Sequence, residues 1–126
     1  MSGLAAARAD LAGIIAAAGL RGLDHVAGRI APPVVLIVPG DPYIEPPDSY
    51  NTAENIAHIQ LHVVAPAGRN AGQTTELDAM LDALLGQLAG TAWFLDSVSA
   101  PFLGRIDDRE FPAVRMNVST LYERKP

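Results

Sequence analysis

The sharpest pattern along the chain lies between Asn55 and Ala65. Ala57, Ile59, Leu61 and Val63 alternate with His58, Gln60 and His62. A period of two predicts a strand with one apolar and one polar face. Residues 3–18 follow a different period. Leu4, Leu11, Ile14, Ile15 and Ala18 recur at helical spacing, with Arg8 and Asp10 off the stripe. Ser2 is placed to cap this helix and Gly19 to end it in the left-handed region. A second helix is predicted over roughly 73–89. There Leu77, Met80, Leu81, Leu84, Leu85 and Leu88 form a wide stripe, with Thr74 or Thr75 as cap and Gly90 as terminator.

Three further runs read as extended. Val34 to Val38 is β-branched and flanked by Pro33 and Pro39, which suits a buried strand. Residues 23–30 read as a short strand or a connection. Trp93–Ser99 is a strand candidate. Phe102–Ile106 leads through Asp107, Asp108, Arg109 and Glu110 into an alternating run containing Val114, Met116, Val118 and Thr120, the pattern of a hairpin. Pro39 to Glu54 (PGDPYIEPPDSYNTAE) holds four prolines and reads as a long irregular loop. Tyr43, Ile44 and Tyr50 within it need a surface to pack on. The elements imply one α+β domain spanning residues 1–126. Its sheet is expected to be mixed, mainly antiparallel, with four to five strands and both helices on one face.

Composition narrows the chemistry. The 126 residues carry a net charge of −5 and no cysteine. Thiol catalysis, disulfides and thiolate metal sites are excluded. The acidic balance argues against a protein that binds nucleic acid by neutralising phosphates. No apolar run is long enough to span a membrane, and the order of charges near Met1 is wrong for a signal peptide. Eight of nine basic residues are arginine, Lys125 being the exception, which suits a GC-rich coding genome.

Candidate reactive groups are few. His58 and His62 share a strand face about 13 Å apart, too far for one metal ion. His25 is remote in sequence, and no acid adjoins the pair along the chain. Asp41, Glu45, Asp48 and Glu54 crowd the proline-rich stretch without the ligand spacing of a calcium loop. Gly19-Leu20-Arg21-Gly22 matches the G-x-x-G of a nucleic-acid clamp, but the helix that should follow is broken by glycines. No nucleophile elbow or phosphate loop is present. The expectation is a protein with no catalytic residue, no cofactor and no metal, which binds or assembles. An enzyme reading would require His58 or His62 beside a carboxylate in a pocket.

The order of elements resembles a known family. An alanine-rich helix leads to a strand ending in Val38-Pro39-Gly40-Asp41-Pro42-Tyr43-Ile44. Then come a strand at Ile56–Val64, an amphipathic helix and a C-terminal strand pair. This arrangement resembles the tail terminator proteins of long-tailed, siphovirus-like phages. The resemblance implies a homohexameric ring in the neck of the virion, made in the host cytoplasm. The ring would cap the tail tube protein and join it to the head–tail connector or stopper. DNA would pass through without specific binding, and an acidic wall would suit that passage. Under this reading Asp41, Pro42, Tyr43, Ile44, Glu45 and Tyr50 are expected at a subunit or partner interface. Asp107, Asp108, Arg109 and Glu110 are expected as a lumen or docking tip. Another neck or head-completion protein, or a small non-catalytic bacterial accessory domain, shares the same size and composition.

Overall fold

The computed structural model describes residues 3–23, 31–46, 54–66, 71–106 and 108–123. Helix α1 spans Leu4–Ala17 and α2 spans Ala71–Leu88. Strands are β1 (Gly22–Leu23), β2 (Val34–Glu45), β3 (Glu54–Val64), β4 (Trp93–Val98), β5 (Phe102–Ile106) and β6 (Arg109–Glu123). They form one six-stranded sheet in the order β1-β2-β3-β6-β4, with β5 pairing β6 beside β4. Among the described residues only β1–β2 is parallel; every other pairing is antiparallel. The α+β class is as expected, with six strands rather than four to five.

The helix ends follow from glycine. Gly19 and Gly90 both adopt φ of 77°, the left-handed conformation that closes α1 and α2. Gly3, at φ 83°, occupies the N-cap position of α1 and contributes no side-chain cap. Ser2 lies outside the described residues. Thr74 and Thr75 fall inside α2 rather than at its cap.

Both helices cover one face of the sheet. Ala7, Leu11 and Ile15 from α1 meet Leu77, Leu84 and Leu88 from α2 over Ala57, Ile59, Leu61 and Val63 of β3 and Val114, Met116 and Val118 of β6. The alternation predicted for β3 is the buried face of this core. A smaller cluster, Val34, Val64, Phe111 and Ala113, forms elsewhere and gathers Phe102 and Leu36 around it. Trp93 is buried where β4 begins, and its indole N–H donates to Asp10 Oδ2 at 3.0 Å, tying that strand to α1.

One prediction is corrected. The proline-rich stretch is not irregular throughout: β2 runs on through Pro39-Gly40-Asp41-Pro42-Tyr43-Ile44-Glu45. Pairing with β3 breaks after Pro39↔Ile59 and resumes at Ile44↔Ala57, so five steps along β2 match two along β3. Two local facts permit this. Among the described residues β1 pairs only with Val35 and Leu36, so the later part of β2 has no ladder on that side for a proline to interrupt. The bulge also absorbs the residues that cannot pair. Peptide bonds Pro32–Pro33 and Asp41–Pro42 are cis. Of the expected loop, Asp48 and Tyr50 lie outside the described residues, as do His25 and Asp107.

Gly40 in this bulge lies against β3. A Cβ there would stand 2.8 Å from the His58 carbonyl oxygen, which is backbone and cannot swing away. Gly86, exposed on α2, has nothing within 4 Å of such a Cβ. Gly→Ala should therefore act with opposite sign at the two positions. Gly40→Ala is expected to lose about 1–3 kcal/mol by forcing a backbone shift. Gly86→Ala is expected to gain about 0.5–1 kcal/mol from helix propensity. Urea unfolding of the two variants checks both; a neutral Gly40→Ala would contradict the close approach.

Candidate functional site

The polar side chains of β3 stand on the sheet face opposite the helices. Register places His58 opposite Ser119, Gln60 opposite Asn117 and His62 opposite Arg115. Side-chain bonds cross the strands. The His62 Nε2–H donates to Gln60 Oε1 (2.7 Å), Gln60 Nε2 to Asn117 Oδ1 (3.2 Å), and Asn117 Nδ2 to Ser97 Oγ (2.9 Å). Ser119 Oγ donates to Asp96 Oδ1 (3.1 Å). At the far end Arg115 lies over the Phe102 ring, 4.7 Å from its centroid. A polar ladder thus runs across β3, β6 and β4.

His58 is not isolated from acids, contrary to the expectation from sequence. Its Nε2 pairs with Glu45 Oε1, and its Nδ1 lies 3.9 Å from Asp96 Oδ2. Glu45 arrives because β2 continues past the bulge, and Asp96 because β4 lies across β6 from β3. His58 and Asp96 border a shallow depression of about 400 Å³, lined also by Gly40, Asp41, Pro42 and Asn117. An imidazole held between two carboxylates can take up and pass on a proton. The nearby hydroxyl of Ser119 is directed at Asp96, and that of Ser97 accepts from Asn117. Among the described residues no three His, Asp or Glu side chains gather as a metal site.

The other expected site residues divide. Asp41 and Pro42 line the depression, and Glu45 holds His58. Tyr43 is half-buried and packs against the protein's own core. Ile44 is 41 % exposed. Asp108 turns the β5–β6 hairpin at φ 64°. Arg109 and Glu110 are already in β6, opposite Ile106 and Arg105, and Arg109 lies over the Phe111 ring at 5.7 Å. The tip is therefore shorter than expected, and its acids are interleaved with arginines.

The sequence reading missed the exposed apolar residues of β4. Phe94 is 61 % exposed, Leu95 47 % and Val98 37 %, and β4 ends the sheet. A signal was available. Trp93 to Val98 carries one charge and no proline or lysine, an unusual composition for an edge strand.

Burial, with the Arg115 guanidinium as a second cause, holds the His62 imidazole below its ordinary pKa of 6.5. The unfolded chain then takes up a proton near 6.5 that the folded chain resists. The His62 contribution to stability is full above that pH and is lost as pH falls through 6.5 and the lower folded value. Between about pH 7.5 and pH 5.5, His62→Gln should lose less stability than the parent chain in denaturant unfolding. An equal loss in both would show that His62 does not carry the dependence.

No protein-family model matches the chain, and no curated protein matches it in sequence.

Proposed function

We propose that this chain is a non-catalytic ring subunit of the tail-terminator kind. It closes the top of a phage tail tube, stops its growth and joins it to the head connector within the virion neck. The observation that carries the reading is the apolar β4 end of the sheet, which among the described residues pairs only with β6 and leaves Phe94, Leu95 and Val98 exposed. A monomer gains nothing from such an edge, whereas a subunit in an assembly covers it. The order of elements resembling that family supports the same reading. The net charge of −5 per copy suits a ring through which DNA slides without sticking.

A ring requires two unlike patches per copy, so that contacts run head to tail and close. Stopping a tube requires the two rims of the ring to differ, so that only one accepts the tube. The β5–β6 hairpin around Asp108 and Arg109 is the candidate for one rim.

Removal of the gene gives the test. A phage lacking it should produce filled heads detached from tails, with tubes of abnormal length under the electron microscope. Complete virions, or failure before any head forms, would contradict the proposal.

One observation favours a second reading, a small enzyme: His58 with Glu45 and Asp96 at a depression. His58→Gln separates the two. Restoration of normal particles by this variant supports assembly as the role. Normally assembled necks without infectious progeny would support chemistry at His58.

A further inference from the structure

The chain contains a single aspartyl–prolyl bond, Asp41–Pro42. Such a bond carries its own means of scission. The aspartate carboxylate can attack its own backbone carbonyl and close a cyclic anhydride, while the proline nitrogen leaves as a secondary amine. Nucleophile and carbonyl belong to one residue, so the step is intramolecular.

The fold places this bond at the His58 site. Pairing of β2 with β3 stops at Pro39↔Ile59 and resumes at Ile44↔Ala57, so neither Asp41 nor Pro42 has a partner on β3. The chain is nonetheless held on both sides of the bond. Gly40 lies against the His58 backbone, and Tyr43 packs on the core. Asp41 and Pro42 are exposed, so water reaches the bond. The Asp41 carboxylate makes no hydrogen bond or ion pair among the described residues and is free to turn on its own carbonyl. Both residues line the depression together with His58 and Asp96. His58 Nε2 is committed to Glu45. Its Nδ1, 3.9 Å from Asp96, is beyond hydrogen-bond length and is the nitrogen left to deliver a proton. Among the described residues the lining has Asp41 and Asp96 but no lysine or arginine, which suits the cation that a cut before Pro42 creates.

We propose that Asp41–Pro42 is a self-processing site at which the chain cuts itself once. A side-chain oxygen of Asp41 bonds to the Asp41 carbonyl carbon. The C–N bond to Pro42 breaks, its electron pair goes to the Pro42 nitrogen, and that nitrogen takes a proton from the His58 imidazolium. Water then opens the anhydride to two carboxylates. Of the two protons released, one returns to His58 and one charges the Pro42 amine. One water is consumed, and nothing is oxidised or reduced. The first fragment keeps α1, β1 and β2 as far as Asp41, and the shared core holds it to the second. The inference concerns a bond within one copy and stands apart from the ring reading.

Purified chain held for days at about pH 6 should give two fragments, residues 1–41 and 42–126, whose masses sum to the parent plus one water. They should migrate together under native conditions and separate in denaturant. Hydroxylamine added during the reaction should convert the first fragment to a hydroxamate at Asp41, which a contaminating protease would not do. Asp41→Ala should abolish the cut, and His58→Gln should slow it about a hundredfold, with circular dichroism showing the fold retained in both. The parent unfolded in guanidinium at the same pH should be cut about a hundredfold more slowly than the folded chain. An intact folded parent, a cut that persists in Asp41→Ala, or an unchanged rate in His58→Gln would overturn the proposal. Equal rates in the folded and unfolded chain would overturn it too, because they would show only the ordinary acid lability of such a bond.

Discussion

The pairing of β3 with β6 is the constraint on which the rest of the molecule depends. From Glu54↔Glu123 to Val64↔Ala113 the two strands run in unbroken antiparallel register. A one-residue slip would turn every side chain to the other face. In the observed register Ala57, Ile59, Leu61 and Val63 meet Thr120, Val118, Met116 and Val114 under the helices. The same register lines up His58, Gln60 and His62 with Ser119, Asn117 and Arg115 on the opposite face. Core and polar ladder are thus two consequences of one alignment. β6 is also long enough to carry β4 along one part and β5 along another.

What could be read from the sequence was whatever repeats locally. The alternation in β3, the stripes of the two helices, Gly19 and Gly90 as terminators, and the hairpin before Val114 all state their structure within a dozen residues. β2 runs further than its prolines suggest locally, because its extent depends on how short β1 is and on a bulge against β3. The acids beside His58 were invisible for a related reason. Glu45 is 13 positions away and Asp96 lies across an intervening strand, so only the sheet order brings them together. Tyr43 looked like a residue in search of a partner because the chain does not announce that its own core reaches it.

The division of labour that emerges is between a closed centre and two open ends. The central strands satisfy their backbone and their polar side chains from within the domain. Among the described residues no buried side-chain polar atom lacks a partner. At the ends, β4 leaves Phe94, Leu95 and Val98 uncovered and α1 leaves a groove over β2. A rigid centre with unlike ends is the physical requirement for a subunit that joins copies of itself without rearranging. The proposed ring follows from that asymmetry together with the resemblance in element order. His58 is the residue whose setting an assembly role leaves unused.

The central claim is that copies of this chain close into a ring at the junction of tail tube and head connector. Electron cryo-microscopy of that neck in the assembled particle tests it most directly. The account predicts one closed layer of six copies at the end of the tube, with β4 of each copy covered by its neighbour. A neck without this chain, or copies in which β4 faces solvent, would contradict it.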